Sequence, residues 1–202
     1  MPPELTPLLS SLHGIVLDIG PGSGDQLHRY SHSASTVKAI YGAEPAVDLH
    51  LQLAQKAKDA GLEGKYHILS CGAELQSLIP ALAKDGLLKD AAEGVFDEIV
   101  SIRVLCGVPD LKETVDGLYG LLKSGGRLIV TEHVVNRGSA IARMLQTAYM
   151  WVGGWKFWMG GCCLDRDTTK VLRDAGMWQN VELKIWNSWS AIPHIVGYLV
   201  KQ

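Results

Sequence analysis

The stretch Leu17-Asp18-Ile19-Gly20-Pro21-Gly22-Ser23-Gly24-Asp25 constrains this chain more than any other. An apolar run from Ile15 to Ile19 reads as a buried strand, and it breaks at once into three glycines at alternate positions. Glycine accepts positive φ without strain and lets backbone lie close against a ligand. With a helix beginning near Asp25, the strand, the turn and the helix form a nucleotide-binding corner. The dinucleotide fingerprint is G-x-G-x-x-G, with a pyrophosphate at the helix N-terminus. Here the third glycine comes one residue early and Asp25 fills its slot. An acid there would repel a pyrophosphate and suits a ligand with a cationic, amino-acid-like end.

Alternating strand and helix patterns follow the turn. Val37–Tyr41, Tyr66–Leu69, Phe96–Ser101 and Arg127–Glu132 read as strands. Helices are predicted over 46–60, with Val47, Leu51 and Ala54 on one face, and over 75–92, in two pieces around Pro80 and Gly86. Another starts at Asp110, where Glu113 three residues on makes a capping-box-like signal. Residues 1–14 are a short lead-in with one helical turn around Leu8 to Leu12. Residues 139–163 are apolar and aromatic but interrupted by Arg143 and Lys156, so they fail as a membrane span and read as a lid or pocket wall. A short helix over 165–175 and two strands, Val181–Trp186 and Ile195–Val200, complete the pattern. The expected fold is α/β: one domain over 1–202, with helices on both faces of a mostly parallel sheet.

The 202 residues and 47% hydrophobic content suffice for one sizeable core. A formal charge of −2 without a Lys/Arg run argues against nucleic acid as a partner. The N-terminus lacks the continuous apolar core of a signal peptide, and the cysteines (Cys71, Cys106, Cys162, Cys163) show no C-x-x-C pair, which together point to a reducing, cytoplasmic setting. The same spacing speaks against zinc, and His28, His32, His50 and His67 show no ligand spacing with acids, so no metal is expected. Cys162 and Cys163 read as small buried hydrophobes more readily than as a redox pair.

Glu44 lies twenty residues beyond Gly24, at the end of the second strand, where a carboxylate can accept both hydroxyls of a ribose. Taken together, the glycine turn and Glu44 resemble the first motifs of class I S-adenosylmethionine-dependent methyltransferases. Phe96-Asp97-Glu98-Ile99-Val100-Ser101 resembles that family's fourth-strand motif. Leu121-Leu122-Lys123-Ser124-Gly125-Gly126-Arg127-Leu128 resembles its turn before the fifth strand, with Ser124 in place of the usual proline. Val104-Leu105-Cys106, Thr131-Glu132-His133-Val134, Gly161-Cys162 and Pro193-His194-Ile195-Val196-Gly197-Tyr198 are similar to the methyltransferase-like thiol S-methyltransferases, membrane-associated enzymes that methylate small alkyl thiols.

The resemblance implies a Rossmann-like, seven-stranded sheet with an antiparallel C-terminal strand, and S-adenosylmethionine as cofactor with S-adenosylhomocysteine as product. It assigns the methionine end to Asp18, Gly20, Pro21, Gly22 and Gly24, the ribose to Glu44, and the adenine to Pro45, Ala46, Gly72, Ala73 and Glu74. Gly72 stands where the family often has an acid, which shifts that contact to backbone or to Glu74. Ser101, Ile102 and Arg103 would line the mouth of methyl transfer, with Arg103 free to meet an anionic group or solvent. A thiol or phenol substrate needs a base, and His133, then His194, are the candidates. Trp151, Trp155 and Trp158 recur at near-helical spacing, as a substrate wall or as core and partner packing.

The expected activity is methylation of a small molecule, with a thiol favoured. The alternatives keep the fold for other chemistry, such as a cyclisation, or for a non-catalytic partner-binding subunit; a nicotinamide dehydrogenase is the outsider. Little chain precedes Ile15, whereas the thiol-methylating relatives carry an N-terminal membrane anchor there. Either a longer native form carries that anchor and associates with a membrane, or the short form has an open site, with 139–163 supplying the cover and able to touch a membrane surface or a second copy in a homodimer.

Overall fold

The computed structural model describes residues 1–89, 93–152, 154–158 and 160–202. The chain runs through α1 (Leu5–Ser10), β1 (Gly14–Ile19), a 3-10 helix (Leu27–Ser33), β2 (Val37–Ala43), α2 (His50–Asp59), β3 (Tyr66–Leu69) and α3 (Leu75–Lys84). It continues through β4 (Phe96–Ile102), α4 (Leu111–Leu121), β5 (Leu122–His133), α5 (Ala140–Val152), α6 (Trp155–Trp158), α7 (Thr168–Asp174), β6 (Trp178–Trp186) and β7 (His194–Lys201). The strands form one sheet in the order β3-β2-β1-β4-β5-β7-β6. Pairing is parallel from β3 to β5, and β7 runs antiparallel to both of its neighbours. The strand order reverses beside β1, so the glycine turn at its end opens on the crevice where ligands bind in such sheets.

The central strands bury both faces, which is why they read as unbroken apolar runs. Val16, Val100, Ile129 and Val196 point to the layer of α1, the 3-10 helix over Leu27–Ser33 and α2. Their sequence neighbours Leu17, Ile99, Leu128, Val130 and Ile195 point to the layer of α3, α4 and α7. This period of two is the pleat itself, and each fully buried side chain contributes about 1.5–3 kcal/mol.

Several predicted helices differ in detail. The N-terminal helix begins at Leu5 and buries Leu5 and Leu9, with Leu12 buried beyond its end. The chain after Asp25 forms a 3-10 helix rather than an α-helix. The helix predicted over 46–60 begins as a 3-10 turn, Val47–Leu49, and becomes α-helical only from His50; Val47, Leu51 and Ala54 face solvent, while Leu53 and Ala57 make the core contact. Pro80 lies within α3 without splitting it, and residues 90–92 of the predicted second piece lie outside the described residues. Asp110 caps α4 as expected, accepting from the Glu113 N–H at 2.8 Å.

At the end of the sheet remote from the glycine turn, the acids of the fourth-strand motif hold strands rather than ligand. Asp97 Oδ2 accepts from the Ile15 N–H at 2.7 Å. Glu98 is fully buried, accepts from Arg127 Nε at 2.8 Å and lies 2.7 Å from His13 Nδ1.

The tightest point of the sheet is Gly197 in β7, paired with Val130 on one side and Leu183 on the other. Its φ is +149°, and a Cβ there would lie 1.8 Å from the Glu182 carbonyl oxygen. Gly197→Ala should destabilise the domain by about 3 kcal/mol or more, as overpacking against backbone does. Urea denaturation measures this, and a loss below about 1 kcal/mol would mean that the β6–β7 pairing yields easily.

Candidate active site

The C-terminal ends of β1, β2, β4 and β5 frame a cleft with two adjoining lobes. One, of about 270 Å³, runs from Asp18 through Leu27 to Ile102, Arg103, Cys106, His133 and Cys162. The other, of about 460 Å³, is bounded by Glu44, Pro45, Gly72, Ala73, Glu74, Val104 and Gly160. Gly20, Arg103, Cys106 and Cys162 border both lobes.

The glycine turn is shaped for close approach. At Gly20, φ is +55° and a Cβ would strike Val104 Cγ2 at 2.6 Å. At Gly22, φ is +59° and nothing stands within 4 Å of the missing Cβ. The first glycine therefore fits against the loop after β4, and the second bares backbone to the cleft. Glu44 is buried and braces the turn: Oε2 accepts from the Gly22 N–H and Oε1 from the Ala46 N–H, each at 2.8 Å. Each oxygen keeps a lone pair for a further donor.

Two acids near the turn differ in kind. Asp25, expected to discriminate by charge, is exposed and ion-paired with Lys56, so its charge is spent on the surface. Asp18 is buried and accepts from the Tyr66 hydroxyl at 2.9 Å. Burial raises its pKa to about 7, against the lowering from the Tyr66 and Tyr30 hydroxyls. The site acid able to change charge near neutral pH is thus Asp18.

In the second lobe, Glu74 Oε2 occupies the space that a side chain on Gly72 would fill, 2.2 Å from the ideal Cβ. The carboxylate that the sequence lacks at position 72 is supplied from two residues on. Pro45 and Ala73 line the same lobe.

The loop after β4 is held by a buried carboxylate, Glu132. It accepts from the Ser101 hydroxyl at 2.6 Å, the Val104 N–H at 2.9 Å and the Cys106 N–H at 3.3 Å. Ser101 is therefore fully buried beneath the cleft floor, not at the mouth as expected, while Ile102 and Arg103 do line it. Arg103 adopts φ +60°, a left-handed geometry strained for a non-glycine residue, with its N–H donating to the Thr131 carbonyl at 2.8 Å.

His133 is buried at the end of β5, facing the first lobe. Its Nδ1 lies 3.5 Å from Cys106 Sγ and 3.3 Å from Cys162 Sγ. The Cys106 thiol, donating towards Cys162, lowers the Cys162 pKa and raises its own; burial raises both, and His133 lowers Cys162 further. His194 packs behind His133, ring centroids 4.4 Å apart, and does not border the cleft. Its Nδ1 has no partner among the described residues. Burial first, then the charges of His133 and Arg103, pull its pKa down to about 4.

The spacing that argued against a metal is local to the chain. Cys106 and Cys162 stand 27 and 29 residues from His133 and come from loops, yet the three donor atoms lie within 4.8 Å of one another. Sequence reasoning missed this cluster and the part played by Glu132. Only the short motifs around those residues mark them. The 139–163 segment forms α5 and α6 and does contribute to the wall, through Gly160 and Cys162. Trp155 packs towards the Cys106–Cys162–Leu164 cluster, whereas Trp151 and Trp158 are exposed. Among the described residues no helix is long and apolar enough to cross a membrane.

The methyltransferase domain family matches residues 3–169. The thiol S-methyltransferase TMT1B of Homo sapiens is 32% identical over 120 residues, 56% of this chain and 47% of that protein. Its Rattus norvegicus counterpart is 31% identical over 119 residues, with the same shares. The chain thus spans about half the length of the curated relatives it matches. Among solved structures, the cyclase SpnF has a TM-score of 0.66 at 18% identity, over 98% of this chain and 80% of that one. The N-methyltransferase NodS from Bradyrhizobium japonicum has 0.62 at 16%, over 98% and 93%. Such distant likenesses speak to the fold alone. With most of its length matched by one family and the ligand crevice built at the strand-order reversal, the chain belongs to the methyltransferase domain family, as a class I, S-adenosylmethionine-dependent member.

Proposed function

We propose that this domain transfers a methyl group to the sulfur of a small thiol. The observation that carries the reading is the wall of Cys106, His133 and Cys162 on the same cleft as the glycine turn. The names of the curated relatives, thiol S-methyltransferases, agree with it. The cleft suits the cofactor: its lobes are of small-molecule size, roughly 300–1,000 Å³ together, and the open backbone at Gly22 adjoins two buried acids. Asp18 would hold the amino end beside the turn, Glu44 the ribose hydroxyls, and Glu74, Pro45 and Ala73 the base. When bound, S-adenosylmethionine supplies a methyl activated by its sulfonium, so the protein's task is orientation, dryness and removal of the acceptor's proton. Of the two candidate histidines, His133 borders the lobe that would admit the acceptor. His194, neutral and weakly basic behind it, acts as a positioning residue for that ring. Arg103 at the rim meets solvent or an anionic substituent.

Three measurements follow. Glu44→Ala should weaken S-adenosylhomocysteine binding about 150-fold by calorimetry, the loss of two charged hydrogen bonds at about 1.5 kcal/mol each; unchanged affinity would remove Glu44 from the site. Asp18 gives a pH signature. Its folded pKa, near 7, lies above its ordinary 3.8. In the unliganded protein its contribution to stability is therefore complete below about pH 4 and is lost as pH rises through 7. Binding a cationic amino end requires the ionised form, so affinity should rise with pH up to about 7, by as much as about tenfold per unit, and then level. Asp18→Asn should flatten that profile. Finally, labelled cofactor offered with alkyl thiols, phenols and amines should label the thiols. Label confined to phenols or amines would overturn the thiol assignment.

A further inference from the structure

We infer that Cys106 Sγ, Cys162 Sγ and His133 Nδ1 form a zinc site whose fourth position, open to the cleft, takes the substrate thiol as a ligand. The inference rests on the thiol reading for its substrate, but not for the site.

The geometry comes first. Zinc bonds of about 2.3 Å to sulfur and 2.0–2.1 Å to nitrogen, at tetrahedral angles, set an S···N edge of about 3.5 Å. The two S···N separations here are 3.5 and 3.3 Å. Hydrogen bonding explains them less well. The Cys106 thiol donates towards Cys162 and the ring nitrogen serves Cys162, so the 3.5 Å approach of Cys106 Sγ to the same nitrogen is one that hydrogen bonding does not use. An ion at the centre satisfies all three donors at once.

The surroundings are built to hold this arrangement. All three residues are buried. The Glu132 carboxylate fixes the Cys106 N–H from below, and the Cys163 N–H donates to the Cys106 carbonyl at 2.8 Å, tying the two cysteine loops together. Gly107 lets them approach, since a Cβ there would lie 3.2 Å from the Gly160 carbonyl oxygen. The indole Nε1 of Trp155 is buried with no partner among the described residues, within the same small cluster as Cys162. It is a donor available to a thiolate sulfur. Metal ligands commonly carry such outer-shell support.

The donor set selects the ion. Two thiolates and an imidazole favour zinc over magnesium or calcium, which prefer oxygen. Two thiolates also neutralise a divalent cation, which makes burial of the group tolerable. Three protein ligands and one open position are the pattern of reactive rather than purely structural zinc. The open position faces the lobe shared with the glycine turn. An incoming thiol would displace a zinc-bound water, give its proton to solvent and its sulfur lone pair to the metal, and so remain a thiolate with lone pairs left for attack. No separate base is then needed, and the role of His133 becomes ligation.

The test uses the intact protein purified with a phosphine reductant in place of thiols. Elemental analysis should find about one zinc per chain. The cobalt-loaded protein should show sulfur-to-cobalt charge transfer and the strong d–d bands of a tetrahedral site. Cys106→Ser, Cys162→Ser and His133→Asn should each weaken metal binding at least about 100-fold, while Cys71→Ser retains it. Wild-type protein with less than about 0.1 equivalent of metal and no cobalt–thiolate band overturns the site, whether or not any variant folds. Adding a small alkyl thiol without cofactor should shift the d–d bands, and the matching alcohol should not. Bands unmoved by thiol overturn the open thiol position. Undiminished thiol methylation after zinc is stripped overturns the metal's role while leaving the thiol reading intact. A zinc-loaded protein that binds S-adenosylhomocysteine and labels no thiol overturns the thiol reading while leaving the metal site standing.

Discussion

One buried carboxylate organises the reactive end of this molecule. Glu132 sits on β5 with no exposure, and its oxygens are consumed by Ser101 on β4 and by two backbone N–H groups of the following loop. Burying a carboxylate is unfavourable unless its lone pairs find donors, and burial pushes its pKa upward against these hydrogen bonds. The loop must therefore curl back over Glu132 rather than run on from the strand. That curl carries Arg103 into positive φ, sets Val104 against Gly20, and brings Cys106 beside the ring of His133, the residue after Glu132. The glycine turn and the sulfur wall face each other because one acid is satisfied from both sides.

The fold was legible because its signals are local. The apolar run into Gly20, the acid twenty residues past Gly24 and the Asp110 cap each need only a few neighbours to be read. Where tertiary packing decides, the sequence was ambiguous. Val47 and Leu51 look like a core face of the helix predicted over 46–60, but the sheet lies under Leu53 and Ala57, and the first two are left in water. Asp25 does line the first lobe, but it is exposed and paired with Lys56, while Asp18 within the strand holds the buried, titratable acid. Glu74 filling the space above Gly72 is likewise a side-chain conformation, invisible to position-by-position comparison.

The Cys106–His133–Cys162 cluster was illegible for a different reason. Ligand motifs are recognised by short spacing within one turn or hairpin. Here each donor comes from a separate loop or strand end, and only the parallel order of β4 and β5, with α5 and α6 folding back, joins them. The same chain segment fails as a membrane span and reads as a lid or pocket wall from sequence. It places Cys162 on the cleft wall and leaves Trp151, Phe157 and Trp158 exposed.

The position of β7 has a consequence for how the molecule is made. This strand is the last element described, yet it lies inside the sheet, between β5 and β6. Until residues 194–201 have left the ribosome, β5 presents an open apolar edge and β6 has no partner. Such long-range closure is slow and exposes sticky surface while it is pending. His194, carried on that strand, packs against His133 only when it inserts. Insertion of β7 thus closes the sheet and seats the His194 ring behind that of His133 in one event, which couples the integrity of the sheet edge to the backing of the cleft wall.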